Sequence, residues 1–151
     1  MKNIRKATLK DLARIAEIEI FNYRLNFYPI FLSDWYYFNI LNVPARMDEY
    51  KDSLDSLWVY DDGVVKGFVM AENREIKKLF VEPVLQSKGI GRRLLEFAKA
   101  DLGGKYLWAL EKNTRAISFY TRNGFMLNGD KKFEDDTTEY LVKLTLENDY
   151  D

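Results

Sequence analysis

One stretch, residues 75–100, constrains the fold more than any other, because three different local signals follow one another in it. Residues 76–81 are largely apolar, and Pro83 closes this run, as proline does at the end of a strand. The polar loop at 86–91 contains two glycines. From Ile90 onward, apolar residues recur at helical spacing while charged residues take the other face. The stretch therefore predicts a strand, a glycine loop and a helix.

These three elements together predict an anion-binding site. The first N–H groups of a helix have no intrahelical partner, and the helix dipole adds partial positive charge there. Gly89 and Gly91 would let a phosphate approach the backbone, while Lys88, Arg92 and Arg93 add formal positive charge at the same end. A ligand that carries a diphosphate fits this pattern. The alternative is a strand–helix connection that needs glycine only for its turn.

Two better-known glycine motifs do not fit the spacing. A dinucleotide-binding fingerprint requires a third glycine, but Gly89 and Gly91 are followed by Leu94. A Walker loop ends in Gly-Lys-Ser or Gly-Lys-Thr, and the sequence contains neither tripeptide. A nucleotide bound through the glycine loop is therefore a minor alternative.

Composition restricts the chemistry that the chain can carry out. Its 151 residues include neither cysteine nor histidine, which excludes disulfides, thiolate nucleophiles, imidazole bases and histidine-ligated metals. Acid–base steps must then fall to carboxylates, tyrosine, lysine or water. We expect no metal cofactor.

Charge and hydropathy restrict the partners. A net charge of −1 argues against a general nucleic-acid binder, which needs a strongly basic face. No apolar run approaches the roughly 20 residues of a membrane span. Residues 1–6 contain basic side chains, but no apolar segment follows them as in a secretion signal. We therefore expect a cytoplasmic protein that binds neither nucleic acid nor membrane.

The remaining patterns predict a single domain, 1–151, that mixes strands and helices. Thr8 and Asp11 resemble a capping box at the start of the first helix. Asp61-Asp62-Gly63 predicts a tight hairpin turn between two β-rich runs. Strands are also predicted at residues 3–7, 57–60, 64–70, 106–110, 125–133 and 138–146, and helices at 9–22, 44–54, 90–100 and between 113 and 124. Residues 147–151 are expected to form a frayed tail.

An unusual aromatic segment lies between Phe21 and Tyr37. It contains eight rings without clean periodicity. One interpretation is a helix–loop–helix that packs its rings on the sheet. Another is that several rings line an acceptor pocket, since small-ligand pockets combine apolar walls with a few polar tips. A contact in a homodimer is the third.

A second motif occupies residues 113–125 and reads Asn-x-x-Ala-x-x-Phe-Tyr-x-x-x-Gly-Phe. Together with Val-x-Pro at 81–83 and Gln-x-x-Gly-x-Gly at 86–91, it resembles the GCN5-related N-acetyltransferase (GNAT) superfamily. The resemblance covers essentially the whole chain. It implies an α/β (α+β) fold, with a mixed, mostly antiparallel sheet of six to seven strands, a central parallel pair and about four flanking helices.

The resemblance also implies an activity and a cosubstrate. Family members transfer an acetyl group from acetyl-CoA to a primary amine, here of a small molecule or peptide, and the sequence favours no particular acceptor. A non-catalytic coenzyme A-binding sensor or interaction module is the alternative from another functional class. By position in the motifs, the cofactor-binding residues would be Leu79, Phe80, Val81, Gln86, Ser87, Lys88, Gly89, Ile90, Gly91, Arg92, Asn113 and Tyr120.

Two catalytic roles follow from the same resemblance. The backbone N–H of Leu79 would donate to the thioester oxygen, as in an oxyanion hole. The Tyr120 phenol would stabilise or protonate the leaving thiolate. Against this second role stands the interpretation that Tyr120 belongs to the buried side of its helix and only packs in the core.

The resemblance further suggests Glu75 as the general base that takes the proton of the attacking amine. Counted back without gaps from Gln86, Glu75 coincides with the base of the histone-acetyltransferase branch. Alternatively, Glu75 is a solvated residue at a strand start or pairs with Arg74 or Lys77, and water performs the proton transfer. Glu111 ranks below Glu75, because it lies where a strand ends.

Overall fold

The structure is a computed structural model that describes residues 2–86 and 88–147, without the side chains of Tyr37 and Phe38. Ser87, predicted to bind the cofactor, and residues 148–151 of the predicted tail lie outside the described residues. Met1 does so as well.

Seven strands form one mixed sheet in the order β1-β2-β3-β4-β5-β7-β6. The pair β4–β5 is parallel and the other five neighbouring pairs are antiparallel. The predicted mixed sheet with a central parallel pair is therefore confirmed. The strands are β1 Ile4–Lys6, β2 Leu57–Asp61, β3 Val65–Glu72, β4 Glu75–Val81, β5 Tyr106–Leu110, β6 Phe125–Phe133 and β7 Tyr140–Leu146.

Six α-helices occur in the described residues, where the sequence predicted about four. The difference lies in the aromatic segment, which contains two short helices because Leu32 adopts a left-handed conformation and Ser33 caps the helix that follows. The helices are α1 Leu12–Asn22, α2 Tyr28–Phe31, α3 Asp34–Asn39, α4 Val43–Tyr50, α5 Ile90–Ala100 and α6 Thr114–Arg122. A π-helical turn, Tyr23–Phe27, connects α1 to α2. No helix in the described ranges is long and apolar enough to cross a membrane.

The predicted capping at the start of the first helix is present. The Asp11 carboxylate accepts hydrogen bonds from the Thr8 backbone N–H at 2.8 Å and from its hydroxyl at 3.2 Å. It also accepts from the Arg5 guanidinium at 2.8 and 3.0 Å. A 3₁₀ turn, Leu9–Asp11, forms first, and α1 continues from it.

The two faces of the sheet carry different helices. Alternate strand residues point to opposite faces, so Phe68 packs with the α1 and α4 side chains, whereas Val69 packs with those of α5. The amphipathic pattern of α5 buries Leu94 and Leu95 completely against the sheet. The two cores hold the sheet between the helix layers.

The parallel strands β4 and β5 separate soon after they meet. Their register contains one pair, Glu75 with Tyr106, whereas β5 and β7 match over five pairs. A register shift opposite Met70 and Ala71 adds an extra residue to β4 near its start. Beyond this point the two strands leave a gap between their backbones, and the candidate functional site lies around it.

Candidate active site

A large cleft follows the gap between β4 and β5. Its volume is about 1660 Å³, more than the roughly 300–1,000 Å³ of a typical small-ligand pocket. Residues 76–81 of β4 and 107–110 of β5 form its centre. The glycine loop and the head of α6 line one part, and the end of α1 with the aromatic segment lines another. This size and extent leave room for two substrates that enter from different sides.

The start of α5 presents to this cleft amides that have no partner within the helix. The first intrahelical hydrogen bond runs from the Arg93 N–H to the Gly89 carbonyl at 3.1 Å. The N–H groups of Ile90, Gly91 and Arg92 precede it and thus have no partner within the helix. Gly89 has a φ of +85°, a left-handed conformation that glycine adopts readily. The loop therefore ends in the predicted helix start, and Gly89 and Gly91 both line the cleft.

Neither steric crowding nor backbone conformation requires glycine at position 91. A Cβ built there would lie 3.5 Å from the Phe119 ring and 3.6 Å from the Val81 side chain, which are ordinary contacts. Its φ is not in the left-handed region. Glycine within a helix costs about 1 kcal/mol relative to alanine. The space that it leaves therefore suits a ligand that approaches the first turn closely.

The three basic residues predicted near the start of α5 differ in whether their side chains can contact a ligand. Lys88 and Arg92 are exposed, and Arg92 lines the cleft. Arg93 is instead engaged with β2, because its guanidinium donates to the Tyr60 hydroxyl at 2.9 Å. Lys88 and Arg92 are thus the cations best placed to meet a diphosphate.

Gln86 fixes the loop to the rest of the fold. Its side-chain amide donates to Asn22 Oδ1 at 3.0 Å and to the Val81 carbonyl at 3.3 Å, and its backbone N–H donates to the Pro83 carbonyl at 3.3 Å. Asn22 donates to the same Val81 carbonyl at 2.8 Å. In the described structure these groups of Gln86 thus already have partners, and its interactions position the residues that follow.

The backbone of β4 turns two of its N–H groups toward the gap. The Glu82 N–H donates to the Lys66 carbonyl on β3 at 2.9 Å. Backbone groups of successive strand residues alternate between the two neighbours, so Phe80 also faces β3. Leu79 and Val81 therefore face the side where β5 has moved away. This is the orientation that a donor to a bound thioester requires.

Asn113 and Tyr120 are held by α6, Asn113 at its start and Tyr120 within it. Asn113 accepts a hydrogen bond from the Ala116 N–H at 3.2 Å and thereby caps this helix. The half-buried Tyr120 ring packs edge-on against Phe119 and Phe125 at centroid distances of 5.2 and 5.9 Å. Burial raises the pKa of the Tyr120 phenol, so the group is protonated at neutral pH. Both Tyr120 and Asn113 line the cleft.

The structure does not bring Glu75 into this group. Glu75 opens β4, beside Glu72 on β3 and Tyr106 on β5, and the part of the strand that lines the cleft begins after it. Four residues of strand separate it from Leu79, roughly 13 Å at strand spacing. Glu111 forms an ion pair with Lys131 at 2.6 Å. The assignment of Glu75 as base stays a prediction.

Several rings of the aromatic segment line the cleft on the α1 side. Tyr23, Phe27 and Tyr36 surround a small core with Leu41, and Phe27 also contacts Phe80 of β4 at a centroid distance of 5.9 Å. Packing on the sheet and lining a pocket were separate interpretations of these rings. The structure combines them, since the same rings do both.

The buried polar residues on the α1 side of the cleft were not predicted from the sequence. Asn22 ties α1 to β4 and to the loop, and Glu19, also on α1, forms an ion pair with Lys78 at 2.8 Å. One signal was available: Glu19 falls on the apolar stripe of its helix, where a carboxylate requires a buried partner. The identity of that partner depends on strand β4, 59 residues away.

Known proteins resemble this chain at three levels. A profile of the acetyltransferase (GNAT) domain matches residues 53–127. The peptidyl-lysine N-acetyltransferase YjaB of Salmonella typhimurium is 32% identical over 81 residues, which are 52% of this chain and 56% of that protein. The match thus spans little more than half the length of this curated relative.

Solved structures share the fold over nearly the whole chain. Apo YjaB from Escherichia coli has a TM-score of 0.74 at 23% identity and covers 95% of each chain. The PaiA N-acetyltransferase from Thermoplasma acidophilum, in complex with coenzyme A, has a TM-score of 0.73 at 20% identity and covers 93% of this chain and 96% of its own.

The domain profile and the shared fold agree with the two sequence motifs. The profile contains the whole glycine loop and all of α6, which carry those motifs. The strand order, with its parallel pair at the centre, matches that of the solved acetyltransferases. This chain belongs to the GCN5-related N-acetyltransferase superfamily.

Proposed function

We propose that the protein is an acetyl-CoA-dependent N-acetyltransferase that moves an acetyl group to a primary amine of a small molecule or peptide. The observation that carries this proposal is the start of α5, where unpartnered amides lie beside the gap between β4 and β5. The name of the curated relative, a peptidyl-lysine N-acetyltransferase, adds support for a peptide amine as one acceptor.

The donor groups fit the chemistry of coenzyme A. The free amides of 90–92, with Lys88 and Arg92, form a site for the pyrophosphate, and Gly91 leaves space there. The Leu79 and Val81 amides, which form no ladder pairs with β5, suit hydrogen bonds to the pantetheine arm. The Asn113 side chain lines the same cleft. Acetyl-CoA, when bound, supplies an acetyl group activated as a thioester.

The chain supplies polarisation of the thioester carbonyl. The Leu79 N–H is directed at the gap and already fixed by the strand, so it needs no reorganisation during the reaction. A preorganised donor of this kind contributes about 3–4 kcal/mol to transition-state stabilisation.

Tyr120 supplies the proton for the leaving sulfur. The new bond joins the amine nitrogen to the acetyl carbon while the carbon–sulfur bond breaks. The thiolate takes the phenol proton, and solvent returns one to Tyr120. Its raised pKa keeps the phenol protonated over the working pH range.

The amine must lose a proton before it attacks, because a lysine-like amine has a pKa of about 10.4. We assign this role to Glu75 acting through water, since about 13 Å of strand separates it from Leu79. In Glu75→Gln, the rise of kcat/KM with pH should shift to higher pH. An unchanged pH profile would leave the proton transfer to water alone.

Release of free thiol from acetyl-CoA across a panel of amines tests the function. Turnover with at least one amine, together with coenzyme A binding measured by calorimetry, is the expected result. Coenzyme A binding without turnover on any amine would instead indicate the sensor or interaction module. Competition by ATP or NAD at comparable affinity would contradict a coenzyme A site altogether.

A further inference from the structure

A buried ion cluster lies on the acceptor side of the cleft, and the mechanism above does not use it. Its members are Glu19 of α1, Arg46 and Tyr50 of α4, and Lys78 of β4. Glu19 accepts from the Tyr50 hydroxyl and from the Lys78 ammonium, the latter at 2.8 Å, and its other oxygen lies 3.2 Å from Arg46 Nε. Glu19, Arg46 and Tyr50 are only 7, 5 and 2% exposed.

Lys78 is the member of this cluster that a substrate can reach. Its side chain is 27% exposed and lines the cleft. A lysine ammonium has three N–H donors, and two of them are directed at Glu19 Oε2 and at the Tyr50 hydroxyl, 2.9 Å away. Among the described residues no hydrogen-bond partner occurs for the third donor, which can therefore meet a ligand while the other two hold the ammonium in place.

The position of Lys78 along the strand matters as much as its exposure. It immediately precedes Leu79, the proposed donor to the thioester oxygen. Because strand side chains alternate, Lys78 extends toward α1 and Leu79 toward the α5 face. A group bound by Lys78 would therefore belong to the acceptor, on the side opposite the coenzyme A loop.

Charge in the cleft is distributed unevenly. Arg46 is paired with both Glu19 and Glu49, so Lys78, which shares Glu19, is the cation of the cluster that is best able to meet a further anion. The turn between β6 and β7, residues 134–139, brings acidic side chains to another part of the same cleft. An acceptor that carries both an ammonium and an anionic group matches this separation of charge.

Glu19 itself is poorly placed to contact the acceptor or to take its proton. Both of its oxygens already lie next to cluster partners, and its side chain is 9% exposed. Its contacts are those of a residue that holds Lys78 and Arg46 in position. The wall beside the cluster is aromatic, since Tyr23, Phe27 and Tyr36 line it.

We propose that Lys78 binds a carboxylate of the acceptor, so that the preferred substrates are amines that also carry a carboxylate group. Glu19 acts as a positioning residue that fixes the Lys78 ammonium. This inference rests on the proposed acetyltransferase activity and specifies its substrate class. The carboxylate can belong to a free apolar amino acid or to an acidic residue beside a lysine in a peptide.

Matched substrate pairs test the proposal. The first pair is phenylalanine and phenylalaninamide, and the second is a lysine peptide with glutamate or glutamine beside the lysine. In the peptide pair the reacting amine is the same, so the wild type should prefer the acidic member on the order of tenfold in kcat/KM. A preference in one pair alone identifies the source of the carboxylate.

Variants test whether Lys78 causes the preference for the substrate that carries a carboxylate. In Lys78→Met the ratio of acidic to neutral substrate should fall to near one, because the acidic member loses its binding partner. Lys78→Arg should keep most of the preference. Lys66→Met is the matched control, because Lys66 pairs with Asp62 on the surface outside the cleft, and its ratio should equal that of the wild type. For the phenylalanine pair, comparing ratios between variants cancels the different intrinsic reactivity of the two amines.

The outcomes separate this inference from the proposed function. If no amine releases thiol from acetyl-CoA, the acetyltransferase activity itself is wrong. If amines react but neither pair shows an acidic preference in the wild type, only the role of Lys78 is overturned. That result needs no variant, so it stands even if Lys78→Met folds poorly. A preference that persists in well-folded Lys78→Met would also overturn the assignment.

Discussion

At the scale of single residues, the packing around Tyr120 accounts for its aromatic ring, whereas the packing around Gly91 does not account for its lack of a side chain. Tyr120 packs against two rings, so its aromatic body has a structural reason, and only its hydroxyl is left for chemistry. Gly91 has neither a strained φ nor a close neighbour that excludes a side chain. Substitutions that change only the hydroxyl or only the Cβ therefore separate function from folding.

Tyr120→Phe should lower kcat by roughly one to two orders of magnitude, since a positioned proton donor usually contributes this much. The ring contacts remain, so we expect coenzyme A affinity, measured by calorimetry, to stay within about twofold. A rate equal to that of the wild type would show that the phenol only packs.

Gly91→Ala should raise or maintain thermal stability, because alanine is favoured over glycine in a helix by about 1 kcal/mol. The new methyl group fits beside Phe119 and Val81 but occupies the space at the first turn of α5. We therefore expect a clear loss of coenzyme A affinity in a protein that melts no lower than the wild type. Unchanged affinity would contradict the proposed pyrophosphate position.

At the scale of elements, side chains at both ends of α1 fix the helix to the sheet. At its start, the Asp11 carboxylate joins Thr8 and Arg5. At its end, Asn22 bonds to the Val81 carbonyl and accepts from Gln86. The helix is thereby aligned with β4 and with the glycine loop, which is the proposed coenzyme A site.

Asp11→Asn should cost about 1–2 kcal/mol of unfolding free energy at pH 7. The Arg5 guanidinium, which donates to Asp11, lowers the pKa of this carboxyl below its ordinary value of about 3.9. A lowered pKa means that the unfolded state binds the proton more readily, so this stabilisation is present above about pH 4 and is lost as pH falls through the folded-state pKa.

Urea unfolding of wild type and Asp11→Asn between pH 7 and pH 2.5 measures this difference. The gap between the two proteins should close toward the acidic end. Asp55→Asn is the control, because Asp55 is 98% exposed in its pair with Lys6, and exposed pairs contribute at most about 1 kcal/mol. A gap that persists unchanged at low pH would contradict the role of the ionised Asp11.

Asn22→Ala should cost about 2–3 kcal/mol, because it removes two buried hydrogen bonds and releases Gln86. The loop would then lose an anchor, so coenzyme A affinity should fall as well. Asn39→Ala, which removes one exposed bond to the Trp35 carbonyl, is the control, with changes in stability within about 0.5 kcal/mol. Lower stability with unchanged affinity would limit Asn22 to a structural role.

At the scale of the whole molecule, a ligand that joins the loop, β4 and α6 should stabilise the fold as a unit. Coenzyme A at 100 times its Kd should add about 2.7 kcal/mol. For a chain of 151 residues this corresponds to an increase in Tm of roughly 5–11 °C. ATP and NAD at the same concentration should produce a much smaller shift in differential scanning fluorimetry. An equal shift with ATP would favour a general nucleotide site.

Local signals predicted most of the fold, including the elements that carry the candidate site. The glycine loop, the starts of α5 and α6 and the hairpin after β2 depend on neighbours in sequence, so residue type and spacing were sufficient. The aromatic segment was predicted less well. Its division into α2 and α3 depends on a left-handed Leu32 and on packing within the small core that contains Leu41, and neither can be read from the periodicity of the sequence.

The sequence by itself determined that a strand, a glycine loop and a helix start follow one another, because glycine content and helical spacing are local properties. Only the tertiary structure decided which side chains meet across the sheet. Glu19 and Lys78 are 59 residues apart, and their contact depends on how α1 crosses β4. Likewise, the gap at Leu79 exists because β5 diverges after Tyr106, a matter of sheet geometry that neither strand encodes alone.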